Sequence, residues 1–202
     1  MVRELSVHQE HEVLLKLEQA GLDKSLAQEI INSPGNALAK SMIVSINKKS
    51  EAKSKSSSRL NFEIEVDGTK TLEQMIADGK YDDKNSDINK KNFPIKDATK
   101  RTVTIELFHF DRNISSEDAV KEMKKEGFRP ATVEELLALG ADQPKLQREF
   151  PIIALGSVWR VFYGFRCVPS LNLDGDDREL NLPYWSHGWF GSCRFAAVRN
   201  NS

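Results

Sequence analysis

The stretch YWSHGWFGSCRFAAVR, residues 184–199, holds two of the three tryptophans, Trp185 and Trp189, and ends on Arg199 three residues before the terminus. Read as one buried strand it has no place for Gly188 and Gly191, since a glycine weakens strand pairing and leaves nothing to pack. The pattern instead predicts two short strand pieces about a glycine-marked turn. In the second piece Cys193, Phe195 and Ala197 alternate inward, with Arg194 and Ala196 outward. Trp185, like Trp159, is expected in the core. Trp189, Phe190 and His187 are expected at the surface, where amphipathic rings supply contact area at low entropic cost. Tyr184, His187, Trp189, Phe190 and Ser192 are therefore the candidate ligand-binding residues.

Working back along the chain, RTVTIELFHFDR (101–112) alternates as a strand with Val103, Ile105, Leu107 and His109 on one face and Thr104, Glu106, Phe108 and Phe110 on the other. Both faces carry apolar residues. His109 and Asp111, at i and i+2 on such a strand, would project from one side and can be weighed as an acid–base pair. Ser115 or Ser116 caps a helix over SSEDAVKEMKKEG, stopped by Gly127. Thr132 and Glu135 form a capping box for a second helix ended by Gly140. Upstream, LNFEIEVDG (60–68) alternates as a half-buried strand, and Thr71 caps a short helix stopped by Gly79. The polar run from Lys80 to Ile95 is expected as a long surface loop, its Asp and Asn residues serving turns rather than calcium.

The first 47 residues read as a helical unit. Val7, His11, Leu14, Leu15 and Leu17 mark one helix, LDKSLAQEII a second and ALAKSMIVSI a third, with Ser33-Pro34-Gly35-Asn36 breaking between the last two. So small a unit is expected to dock or to pair two copies of the chain as a homodimer. Residues 48–59, KKSEAKSKSSSR, mix Lys48, Lys49, Lys53 and Lys55 with serines and read as a flexible linker. The domains are thus 1–47, 48–59 and 60–202.

Composition narrows the function classes. A chain of 202 residues with a formal charge of −1 has no global field for nucleic acid or an anionic membrane. Nucleic acid is then an unfavoured partner, reachable only through the basic linker. No apolar run approaches the roughly 20 residues of a membrane helix, and MVRELSVHQEHEV has no signal-peptide core. No membrane insertion is expected, and the expected compartment is the cytoplasm. Cys167 and Cys193 suit buried thiols better than a disulfide scaffold or a zinc site. No metal and no cofactor is expected. The loop NLDGDDRE (Asn172, Asp174, Asp176, Asp177, Glu179) is acidic but reads as a solvated turn.

The run Gly127-Phe128-Arg129-Pro130-Ala131-Thr132 with Glu135-Leu136 resembles the G-W-R-L-P-T-x-x-E-L opening of bacterial domains in the C-type-lectin-like superfamily. In those domains short strands follow the helix, then a Y-W-S-S element and a terminal strand ending in V-R. Here Tyr184-Trp185-Ser186 and Val198-Arg199 stand in that order, with Pro130-Ala131 in place of Leu-Pro and His187 in place of the second Ser. The resemblance spans about residues 125–200. It brings in bacterial adhesin domains, the variable proteins of diversity-generating retroelements and formylglycine-generating enzymes. The Glu-Pro-Asn and Trp-Asn-Asp elements of calcium-dependent sugar binding do not occur, and Cys167 and Cys193 do not match the spacing of the formylglycine enzymes' cysteine pair. What remains is a display module with aromatic and small polar side chains near its C-terminus. The whole chain also resembles a family of bacterial proteins, many from candidate phyla, that carry TLEQMIADGKYD, NSDI, NFPI and RPATVEELLALG. That likeness implies a bacterial origin and carries no activity with it.

The expected fold is α+β: a small helical unit, a linker, and a mixed domain whose C-terminal half is C-type-lectin-like. The expected function is non-catalytic recognition of a protein or other macromolecule through the aromatic C-terminal surface. An enzyme, hydrolase or oxidase, would have to use His109, Asp111, His187 and Cys193, which no nucleophile–base–orienter spacing unites.

Overall fold

The computed structural model describes residues 23–34, 37, 41 and 59–200. The chain divides after Ser57 into two units. In the first, among the described residues, α1 (Lys24–Asn32) stands where LDKSLAQEII predicts a helix. Ser33 closes it by donating its Oγ–H to the Ile30 carbonyl at 2.8 Å, just before Pro34. The other two predicted helices, nearly all of the linker and any pairing of copies through residues 1–47 lie for the most part outside the described residues.

The second unit combines helices with a mixed sheet, an α+β arrangement. It opens with β1 (Asn61–Asp67) and α2 (Leu72–Gly79). Thr71 and Gln74 form the capping box of α2, each side chain taking the other residue's backbone N–H, which satisfies two orphan donors of the first turn. The left-handed residue that ends α2 is Lys80, at φ 48°. Gly79 is needed for a different reason, since a Cβ there would lie 2.3 Å from the Tyr81 ring. The 80–95 segment is not wholly a surface loop: it contributes β2 (Asp83–Lys84) and sends Ile88 and Phe93 into the core. Asn85 and Asn89 do serve as turn residues, accepting from the backbone of Asp87 and Asn92.

Then follow β3 (Lys100–Phe108), α3 (Ser116–Lys125) with Ser115 as its cap, β4 (Phe128–Pro130) and α4 (Val133–Asp142). The Thr132/Glu135 box is present, and α4 runs two residues past its expected stop at Gly140. The remaining strands are β5 (Ile152–Ile153), β6 (Trp159–Arg160), β7 (Arg166–Cys167), β8 (Ser170–Asp174), β9 (Asp177–Asn181) and β10 (Arg194–Arg199). Sheet order is β1-β3-β10-β5-β8-β9-β2, with β4 also paired to β10. The pairings β10·β5 and β2·β9 are parallel and the others antiparallel. Strands β6 and β7 form a separate hairpin.

Because successive strand residues point to opposite faces, the central strands feed two cores. Ile105, Leu107, Ile152, Ala196 and Val198 pack with α2 and α4. Phe108, Ile153, Phe195 and Ala197 pack with Ala119 and Met123 of α3 and with both C-terminal tryptophans. Ala196 therefore does not face outward as its alternation predicts. A strand covered on both faces reads as a continuous apolar run, and Phe195, Ala196, Ala197 and Val198 are all buried.

The acidic loop at 172–179 is a tight hairpin joining β8 to β9, with Gly175 at φ +57°. Arg178 of β9 is buried, and among the described residues its guanidinium has no carboxylate partner. Its guanidinium donates to the carbonyls of Gly79 (2.6 Å) and Lys80 (3.3 Å) and, through the other nitrogen, to the Gly140 carbonyl (2.9 Å) and Gln147 (3.1 Å). A cation at the C-terminal ends of α2 and α4 meets both unsatisfied carbonyls and the negative end of each helix dipole. One side chain thus ties the two helices of the first core together.

Candidate functional site

The N-terminal turn of α3 organises residues 184–193. Ser116 is buried, and its hydroxyl donates to the Trp185 carbonyl at 2.7 Å while accepting from the Trp189 indole N–H at 2.8 Å. Glu117, next in the chain, accepts from the Trp185 indole N–H and from Arg166 at 2.8 Å. The Arg166 guanidinium also lies 4.5 Å over the Trp185 ring, a cation–π contact. The Trp185 bond, a backbone amide and then Arg166 hold the Glu117 carboxyl below the usual carboxylate range. Both indole N–H groups are satisfied, so both rings can be buried.

This overturns one expectation. Trp189 is 3 % exposed, stacked edge-on against Phe195 at 6.1 Å, and it pairs with Ile114 through two backbone bonds of 3.0 Å. Of the two predicted strand pieces, the first reduces to isolated bridges at Tyr184 and Trp189 and the second is β10. Trp185 is buried as expected, and Trp159 packs half-buried against the first core.

The remaining predicted site residues are exposed but do not form one cluster. His187, Phe190 and Trp189 line a groove of about 380 Å³ with Phe150, Ser170 and Cys193. Ser192 is not in its lining, and its carbonyl is held by Arg194 at 2.9 Å. Tyr184 stands elsewhere, with its ring 5.8 Å from Phe165.

Phe165 belongs to the β6–β7 hairpin, which no alternation or capping signal marks. Strands β6 and β7 are closed by a turn in which Gly164 takes φ +83° and donates its N–H to the Val161 carbonyl at 2.8 Å. Its tip lifts Phe162 (96 % exposed), Tyr163 (83 %) and Phe165 (58 %) into solvent beside Tyr184 (53 %). Phe162 and Tyr163 meet edge-to-face at 5.4 Å. The sequence signal was Phe162-Tyr163-Gly164-Phe165 between Arg160 and Arg166, with large rings at turn positions that polar residues normally take.

The catalytic candidates fall in two pairs, His109 with Asp111 and, in the groove, His187 with Cys193. Strand β3 ends at Phe108, so His109 and Asp111 lie beyond it, 3.9 Å apart, and His109 bonds the Gly191 carbonyl at 2.8 Å. Burial pushes the thiols of Cys193 and Cys167 up, the opposite of the shift that activates a nucleophilic cysteine. Among the described residues no group of three or more His, Cys, Asp or Glu side chains could hold a metal ion, and no helix is long and apolar enough to cross a membrane. Comparison of the chain with protein-family models, curated proteins and solved structures gives no match.

Proposed function

We propose that this chain is a non-catalytic recognition module that offers an aromatic surface to a protein or other macromolecule. The observation that carries the reading is the β6–β7 hairpin: three rings at its tip and Tyr184 beside it are each more than half exposed. Contiguous apolar surface of this kind marks contact sites on soluble proteins, and aromatic anchors dominate interface energetics. The contact surface is then Phe162, Tyr163, Phe165 and Tyr184, while His187 and Phe190 line a separate groove. The C-type-lectin-like reading of residues 125–200 belongs to the same proposal. It is supported by the order of α4, the short strands, Tyr184-Trp185-Ser186 and a terminal strand ending in Val198-Arg199.

A photoreactive phenylalanine analogue at position 162 tests this in the full chain. Irradiation in a bacterial extract is expected to give a discrete adduct that the same analogue at the exposed Lys91 does not give. Equal, diffuse labelling from both positions would remove the hairpin from the contact surface.

A further inference from the structure

We propose that the partner of the aromatic hairpin is a second copy of this chain, related by a two-fold axis that brings two β6–β7 tips together. The inference rests on the recognition reading above and names its partner.

Three observations point to self-association. The first is area. Large aromatic side chains present about 200 Å² each, so the exposed fractions of Phe162, Tyr163, Phe165 and Tyr184 amount to roughly 600 Å² of ring surface per chain. Doubled across a two-fold axis this is about 1,200 Å², the lower end of what a specific interface buries. Val158, also exposed at the start of the hairpin, adds to it. The second is the open edge. Strand β7 is covered on its far side by the 183–185 segment, through Val168 N–H to the Pro183 carbonyl and Trp185 N–H to the Arg166 carbonyl. The hairpin sheet holds only β6 and β7, so among the described residues no strand pairs the outer edge of β6. Two identical edges meeting about a two-fold axis run antiparallel and complete each other's hydrogen bonds. The third is charge. Around the rings stand Arg160, Arg166 and the Glu117 carboxylate that Arg166 binds, both signs in one small area. Such a patch meets its own copy without large repulsion and has no field that would select a strongly charged partner.

The contact is of the weak, reversible class, with a dissociation constant on the order of micromolar. Sedimentation velocity of the full chain from roughly 2 to 200 μM is expected to show a monomer passing to a dimer. The double variant Phe162→Ser/Tyr163→Ser should stay monomeric throughout with an unchanged urea unfolding curve, and Phe190→Ser, whose ring lies outside the patch, should dimerise like the parent. A parent chain that is monomeric at every concentration overturns the proposal. So does a dimer that survives the double variant, which places the interface elsewhere, or one that Phe190→Ser dissolves equally well. An adduct between position 162 and a different protein, from a chain that sediments as a monomer, would overturn self-association while upholding the recognition reading. Loss of both signals would end both.

Discussion

The segments 158–166 and 184–193 use nearly the same residues, each a short run of Trp, Phe and Tyr broken by glycine, and the protein treats them in opposite ways. In the second, Trp185 and Trp189 lie against α3 because that helix supplies what an indole needs before it can leave water, an acceptor for its N–H. Ser116 and Glu117 are those acceptors. In the first, Trp159 turns back to the core while Phe162, Tyr163 and Phe165 project into solvent from a two-stranded hairpin. Ring content alone does not decide burial. What decides it is whether a neighbouring element offers both an apolar floor and a partner for each polar atom.

The largest effect that separates the two segments is expected at Trp189. Truncation to Ala would open a cavity among Phe195, Ile114 and Cys193 and leave the Ser116 hydroxyl without its donor. Loss of a buried Trp costs roughly 3–5 kcal/mol, to be read as a lower midpoint in urea. Wild-type Trp189 fluorescence should also be shielded from quenchers. A shift below about 0.5 kcal/mol, the range of ordinary surface sites, would put Trp189 back in the exposed class with Phe162.

Ser116 comes next. Its replacement by Ala removes one methylene-sized polar group but orphans both the Trp189 N–H and the Trp185 carbonyl in a dry interior. Each buried unsatisfied group costs about 1–3 kcal/mol; the two share one site and do not add fully, so a loss of roughly 2–3 kcal/mol is expected, with Thr recovering part of it. If Ala is neutral, the α3 turn is not what distinguishes the two segments.

Glu117 touches both segments at once, through Trp185 and through Arg166 at the base of the hairpin. Its folded pKa lies below the ordinary carboxylate value, so its contribution is present above that range and lost as the pH falls through the folded value. Unfolding midpoints measured from pH 7 downward should therefore fall less steeply in Glu117→Gln than in the parent. The comparison between the two chains is needed because Glu135 titrates in the same acid range. Its burial raises its pKa, but the paired bonds from Arg129 and the Thr132 amide lower it further, to a net depression. Identical slopes in both chains would mean that solvent screening removes the Glu117 contribution.

Much of this fold is legible in the sequence because its signals are local. Thr71, Ser115 and Thr132 announce three helix starts by side-chain chemistry confined to one turn, and period-two alternation announces β1 and β3. Two things were out of reach of local patterns. Whether Ala196 faces core or solvent depends on a second layer, α2 and α4, brought in from far along the chain. Whether Trp189 is buried depends on Ser116, which is distant in sequence and carries no mark beyond its place at a helix start. Arg178 is the same kind of case: a charged residue in an acidic hairpin, whose partners are the carbonyl ends of two remote helices. The hairpin at 158–166 was legible in principle, since rings flanking a turn glycine violate the usual polarity of turns, but core tryptophan is the commoner fate of a segment that begins Val-Trp.

The smallest stability effect is expected where the functional effect is largest. Phe162 and Tyr163 touch mainly each other, so truncating either to Ala removes one edge-to-face pair in water and opens no cavity. The change should fall within about 0.5 kcal/mol, and the hairpin should survive, because its turn is set by Gly164 and the Val161 carbonyl rather than by the rings. Tyr184 makes a sharper case, since it pairs with Phe165 yet its backbone bridges Cys167. Tyr184→Ala keeps that bridge, and so should also leave the unfolding midpoint nearly unchanged while removing one wall of the patch. If any of these three lowers stability as much as Ser116→Ala does, the hairpin rings are supporting the fold after all. The contrast between the two aromatic segments, and the contact surface built on it, would then have to be given up.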